Sequence, residues 1–104
     1  MAGAWEVPGG QFSLDAGAAL DWRRFIKVDT DGTAAYATSG TDAIVGISYT
    51  EALAAGVPIS IIGSGIAMVE ASETVTPGDF VEPTTDGKAA VVSSGTSAFI
   101  ALTG

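Results

Sequence analysis

The sequence predicts an all-β domain, a small barrel or sandwich of about nine short strands, and three observations lead there. The first is an internal repeat: FIKVDTDGTAAYATSGTDAIVGIS, Phe25 to Ser48, aligns without a gap onto FVEPTTDGKAAVVSSGTSAFIALT, Phe80 to Thr103. The offset is 55 residues and 10 of the 24 positions are identical. The second is residue choice, because 17 valines and isoleucines stand against four leucines and 11 threonines add further β-branched side chains, which pack well on a pleated surface. The third is punctuation by glycine, serine and Asp-Gly pairs at short intervals, as a domain of many turns requires. Two copies of one unit in 104 residues point to two pseudo-repeats sharing one core, because a duplication keeps packing.

Residues 1–10 read as an extended N-terminal arm. Trp5 and Val7 are its only large apolar groups, and Pro8-Gly9-Gly10 forms a break. Residues 11–104 form a single β domain, with pseudo-repeats at about 11–48 and 66–103 and a connector at 49–65. In the first repeat, strands are expected at Gln11–Leu14 and Arg24–Val28, separated by a turn through Asp15–Ala19. Asp31-Gly32 suits the positive φ angles of a tight hairpin, Thr33–Ala37 returns, Thr38–Asp42 is a polar loop, and Ala43–Ser48 is an apolar strand. The second repeat has its hairpin turn at Asp86-Gly87 and its last strand at Ala98–Thr103. In the connector, Thr50 suits an N-cap, Glu51–Ala55 one helical turn ended by Gly56 and Pro58, and Ile59–Ile62 a strand. Gly46 and Ala101 hold equivalent places in the apolar strands, which predicts close approach of another element there.

Composition removes whole classes of chemistry. The chain has no cysteine and no histidine, so it offers no disulfide, no thiolate and no imidazole base or ligand. Its serines and threonines have no base to activate them, and no glycine-rich phosphate loop precedes a helix, so the expectation is a protein that is not an enzyme and uses no cofactor. Twelve acids against four bases give a net charge of −8, which would repel nucleic acid and anionic membrane surfaces. MAGAWEVPGG carries neither a basic residue nor an apolar run, unlike a secretory signal. Ala52 to Val69 contains no charge over 18 residues, the length of a membrane span, but glycines, serines and Pro58 interrupt it and Ile59, Ile61 and Ile62 read as a strand.

Four places could carry function. Asp29-Thr30-Asp31-Gly32 opens like a calcium loop, yet the places that need glycine and glutamate hold Ala34 and Gly40; a turn is expected. Asp86-Gly87-Lys88 sets a lysine beside a hairpin turn, similar to the lipoyl and biotinyl carrier domains, whose modified lysine protrudes at a turn tip; the alternative is a solvated lysine at the start of a strand. Arg23 and Arg24, beside Trp22 and Phe25, stand where the other copy has Gly78 and Asp79. Arginine and tryptophan are the residue types most enriched at binding hot spots, so Trp22, Arg23, Arg24 and Phe25 are candidates for an interface with a partner or a sister subunit, internal pairing of the arginines with Asp21 or Glu82 being the other reading. Trp5, with Val7, either folds back or docks.

From about Ala16 onward the parts follow in the order AGAALDWRRFIKVDTDGTAAYATSGTDAIVGIS, then EALAAGVPISI, then GIAMVEASETVTPGDFVEPTTDGKAAV. In this order the chain resembles the small capsid decoration, or cement, proteins of tailed bacteriophages, which are likewise short, acidic, rich in alanine, glycine, threonine and valine, and without catalytic motifs. The resemblance implies a β-rich fold, commonly a homotrimer. It also implies a place on the exterior of the virion head, at threefold or local threefold positions, where such proteins clamp the major capsid protein after synthesis in the host cytoplasm. Neither nucleic acid nor membrane is an expected partner. The alternatives are a carrier domain using Lys88 and another phage structural module, from tail tube or fibre.

Overall fold

The computed structural model describes residues 7–8, 10–39, 42–92 and 99–101. They form an all-β protein in which no described segment is a helix. Among the described residues there are ten short strands, where about nine were expected for the chain: β1 (Val7–Pro8), β2 (Gln11–Asp15), β3 (Phe25–Val28), β4 (Ala34–Tyr36), β5 (Ile44–Ser48), β6 (Pro58–Ile62), β7 (Gly65–Ile66), β8 (Phe80–Pro83), β9 (Ala89–Val91) and β10 (Phe99–Ile100). Eight of them make two antiparallel sheets, a five-stranded one in the order β2-β6-β5-β3-β4 and a three-stranded one in the order β10-β8-β9, while β1 and β7 pair separately.

The five-stranded sheet buries side chains on both faces, because alternate residues of a strand point opposite ways. Ile26 packs with Ala16, Leu20, Ala34, Ala52, Ile59 and Ile61, beneath the segments that run past Ala16–Leu20 and Ala52. Its neighbour Phe25 faces the other way, into a second core with Ala37, Val81 and Ala89, against which Ile44, Ile47 and Phe99 pack. The Phe25 and Phe99 rings meet at 4.9 Å between centroids with a tilt of 53°, an arrangement that suits the aromatic quadrupole. Strand β3 therefore belongs to both cores.

The two copies in the sequence have matching ladders. In the first, Ile26, Lys27 and Val28 face Tyr36, Ala35 and Ala34; in the second, Val81, Glu82 and Pro83 face Val91, Ala90 and Ala89. The offset of 55 relates all three pairs. The turns match as well: Gly32 N–H donates to the Asp29 carbonyl at 2.9 Å and Gly87 N–H to the Thr84 carbonyl at 3.1 Å. So do two isolated parallel bridges, Ala16 with Ala34 and Ala71 with Ala89. The last strand departs from this pattern. Ile26 faces Gly46, whose sequence equivalent is Ala101, but Val81 faces Phe99, two residues short of it.

One expectation changes. Glu51–Ala55 makes no helical turn, because Ala52 exchanges both backbone hydrogen bonds with Leu20, at 2.8 and 2.9 Å, and those groups are then lost to a helical ladder. The uncharged stretch Ala52–Val69 contains β6, where a strand at Ile59–Ile62 was expected, and β7; no described helix is long and apolar enough to cross a membrane. The end of the expected arm is tied to the body: Val7 and Pro8 pair with Ile66 and Gly65, and Gly63 N–H donates to the Gly10 carbonyl. Residues 1–6, Trp5 among them, and residue 9 lie outside the described residues, as do Ala98 and Leu102–Thr103 of the expected last strand. At Gly46 the close approach is present, since a Cβ there would lie 2.7 Å from Ile61 Cγ2 and 2.9 Å from the Ile62 carbonyl carbon.

Candidate functional site

The run Asp21-Trp22-Arg23-Arg24-Phe25 leads into β3, and main-chain bonding fixes where each side chain goes. Arg23 N–H donates to the Ser48 carbonyl at 2.7 Å and Ser48 N–H to the Arg24 carbonyl at 2.9 Å. The buried Ser48 hydroxyl donates to the Asp21 carbonyl at 2.9 Å and accepts from Arg24 N–H at 3.1 Å. Arg23 has φ 61°, the left-handed conformation that costs a residue with a Cβ roughly 1–2 kcal/mol. Its counterpart Gly78 has φ 92° at no such cost. Beside this kink the Arg23 guanidinium carbon lies 4.4 Å from the Trp22 ring centroid, and Trp22 is 50% exposed.

Arg24 turns inward and is only 8% exposed. Its guanidinium bonds the Glu70 carboxylate at 2.6 Å and the Asp21 carboxylate at 3.3 Å, and lies 4.0 Å from that of Asp86. It also donates to the Asp86 main-chain carbonyl at 3.0 Å and lies 5.6 Å from the Tyr36 ring centroid. One cation thus joins the first copy (Asp21), the segment entering the second (Glu70) and the second hairpin turn (Asp86). Beside it, Phe25 N–H donates to the Gly87 carbonyl at 2.8 Å and Glu70 N–H to the Arg23 carbonyl at 2.7 Å, so main-chain bonds cross the same seam.

The hairpin turns are held by threonines. The Thr84 hydroxyl donates to Asp86 at 2.6 Å. That bond is the chief reason the Asp86 carboxyl titrates below its ordinary value; burial opposes it, and attraction from Lys88 and then Arg24 adds to the lowering. Asp31 is lowered in the same way by the hydroxyl and N–H of Thr33, at 2.7 and 3.1 Å. Asp42 is lowered first by the Thr38 N–H at 2.8 Å, then by Lys27, whose ammonium lies 3.9 Å away. Lys88 directly precedes β9, keeps its side chain 31% exposed and sits 3.8 Å from Asp86.

The structure divides the residues singled out in the sequence. Trp22 and Arg23 share a surface site. Arg24 and Phe25 are not surface anchors: the guanidinium is spent on the seam between the copies, and Phe25 is 1% exposed in the second core. Asp21 is a partner of Arg24, as one sequence reading had it, but Glu70 and the Asp86 carbonyl are further ones, and nothing in a linear pattern pairs residues 46 and 62 positions apart. Val7 contributes its backbone to the β1–β7 ladder. The pairs Asp31-Gly32 and Asp86-Gly87 are turns, with φ 82° and 78° at their glycines.

Sequence reasoning missed the surface next to Trp22. Residues 16–23 run antiparallel to 48–57, held by Leu20 with Ala52, Arg23 with Ser48, and Ala16 with Gly56 and Val57. Tyr49 and Leu53 lie exposed on the second of these segments, Leu53 at 83%. The signal was the alanine-rich apolar connector itself, read as a helical turn. Comparison with protein-family models and with curated proteins finds no match.

Proposed function

We propose that this chain is a structural virion protein that binds the outer surface of a phage capsid and stabilises the shell as a decoration protein, acting as a homotrimer on the major capsid protein. In this reading it is a duplicated β-unit, two pseudo-repeats closed into a small sandwich with an N-terminal arm. The matching registers of β3–β4 and β8–β9 support the duplication. The observation that carries the functional reading is the way the cations are used. Arg24 ties the two copies together, while Trp22, with the Arg23 guanidinium over its ring, is half exposed, and the second copy has Pro77 and Gly78 in their places.

A rigid module with a distinctive surface and an acidic remainder suits a protein whose effect comes from contact. Binding the assembled shell in preference to its dissociated subunits raises shell stability by mass action, and many copies on a symmetric lattice make modest contacts effective. The carrier reading asks Lys88 to protrude for modification, and its ion pair with Asp86 at the start of β9 speaks against that.

Sedimentation of the purified protein with expanded, undecorated heads and, separately, with purified tails tests the proposal. Retention on heads alone is expected; retention on tails alone would move the protein to a tail module. Intact mass after coexpression with lipoylating and biotinylating enzymes checks the carrier alternative, with an unmodified chain expected.

A further inference from the structure

The two hairpin turns carry the same tripeptide, Thr30-Asp31-Gly32 and Thr85-Asp86-Gly87, and its chemistry is reactive. The nitrogen of the residue after an aspartate can attack the side-chain carboxyl. A C–N bond forms, the carboxyl loses its hydroxyl and the nitrogen its proton, so one water leaves and a five-membered succinimide remains. Water then adds back; opening at the former main-chain carbonyl leaves the chain running through Cβ, as isoaspartate. Glycine favours the attack because it has no Cβ to crowd the ring and adopts the backbone angles that closure needs. Water is the only other reactant.

Identical tripeptides sit in different surroundings. Ring closure requires the Asp-Gly peptide to rotate out of its turn, and part of that cost is common to both. Each glycine N–H must leave a main-chain carbonyl, that of Asp29 at 2.9 Å or of Thr84 at 3.1 Å. Each carboxylate must leave a threonine, the hydroxyl and N–H of Thr33 at 2.7 and 3.1 Å or the hydroxyl of Thr84 at 2.6 Å. The second turn has further ties, and they come from the first copy. The Arg24 guanidinium donates to the Asp86 carbonyl at 3.0 Å and Phe25 N–H to the Gly87 carbonyl at 2.8 Å, so the peptide groups on both sides of Gly87 are pinned. Gly87 is buried, and a Cβ there would meet the Phe25 carbonyl oxygen at 3.0 Å. Gly32 is exposed, and the same position has nothing within 4 Å. Lys88 and Arg24, at 3.8 and 4.0 Å from the Asp86 carboxylate, also favour its ionised form, which is the poorer electrophile.

We propose that Asp31 is a site of spontaneous succinimide and isoaspartate formation in the folded protein, and that the seam between the copies protects Asp86 from the same reaction. The isoaspartate keeps one carboxylate, so the net charge stays at −8. What changes is the main chain, which gains one methylene between β3 and β4, at the end of the ladder where Val28 faces Ala34. Ala34 also bridges to Ala16 and accepts a hydrogen bond from Gly17 N–H at 3.0 Å, so the rearrangement acts on the β4 edge of the five-stranded sheet.

The test ages the purified full chain in warm neutral buffer, folded and, in parallel, unfolded in guanidinium chloride. An endoproteinase that cleaves before aspartate but not before isoaspartate, read by mass spectrometry, reports each site separately. Methyl transfer by an isoaspartyl carboxyl methyltransferase gives the total. In the folded chain Asp31 should rearrange at least about tenfold faster than Asp86, because the added hydrogen bonds and packing raise the free energy of opening the second turn; in denaturant the two rates should agree within about twofold. Asp31→Glu, whose ring would need a sixth member, should remove most of the methylation. Arg24→Met, which frees the Asp86 carbonyl, should speed Asp86 while leaving Asp31 unchanged under conditions where circular dichroism shows the variant folded. No rearrangement at Asp31 in the folded chain, or equal rates at the two sites there, would overturn the proposal. A ratio as large in denaturant as in buffer would also overturn it, by assigning the difference to neighbours in sequence.

Discussion

Arg24 and Glu70 meet at 2.6 Å across the seam between the two copies, the arginine nearly buried and the carboxylate half exposed. Losing a buried partner costs more than its pairing contributes, because the groups it satisfied are left without compensation. Arg24→Met should therefore lower stability by about 2–4 kcal/mol in urea unfolding. Arg24→Lys should recover little of this, because a single ammonium cannot reach Glu70, Asp21 and the Asp86 carbonyl together. A lysine variant as stable as wild type would show that charge alone matters here.

Equivalent glycines should respond differently. Gly32 and Gly87 are one repeat apart and both have positive φ, so alanine strains each by about 1 kcal/mol. Gly32 has nothing within 4 Å of a new Cβ, whereas at Gly87 that atom would meet the Phe25 carbonyl oxygen at 3.0 Å and Tyr36 Cδ1 at 3.1 Å. Gly87→Ala should cost roughly 2–4 kcal/mol in all, the excess coming from overpacking at the seam. Equal melting-temperature losses for the two variants would mean that the second turn does not pack against β3.

The strained Arg23 gives an unusual order of stabilities. Arg23→Ala keeps the left-handed backbone and loses the stacking on Trp22, while Arg23→Gly loses the stacking and relieves the strain. The glycine variant should be the more stable of the two by about 1 kcal/mol in denaturant titration. The reverse order would place Arg23 in ordinary backbone space.

Acid should loosen the fold through the turn aspartates. Asp31, Asp42 and Asp86 titrate below the ordinary carboxylate range in the folded chain, so the unfolded chain binds more protons as the pH falls. Their stabilising effect is complete above about pH 5 and is lost as pH falls through the folded values, below about pH 4. Denaturant midpoints should be flat from neutrality to about pH 5 and then drop. Thr84→Val, which removes the hydroxyl bonded to Asp86, should make that drop shallower; an unchanged acid limb would contradict the role of this bond.

Much of the fold was legible in the sequence because its signals are local. Asp-Gly pairs fixed both hairpins, β-branched runs located β3, β5, β6 and β8, and Gly46 announced the close approach of another element, which the structure shows to be β6. What was not legible depends on contacts between distant residues. Leu20 takes both main-chain groups of Ala52 and so removes the helical turn that Glu51–Ala55 could otherwise form. The two-residue change of register at β10 is invisible to a gapless alignment, because identity in sequence does not dictate which neighbour a strand meets. At the candidate site, the residue types Trp22 and Arg23 were found by composition, but the division of labour between Arg23 and Arg24 was not. It depends on a single positive φ, set by Ser48 and Glu70 binding the chain on either side.

We propose that this β-body acts by docking on an assembled shell. A reconstruction of expanded, undecorated heads incubated with the purified protein tests it most directly. The account predicts added density in groups of three on the outside of the head. Saturating protein with heads that stay bare would contradict it.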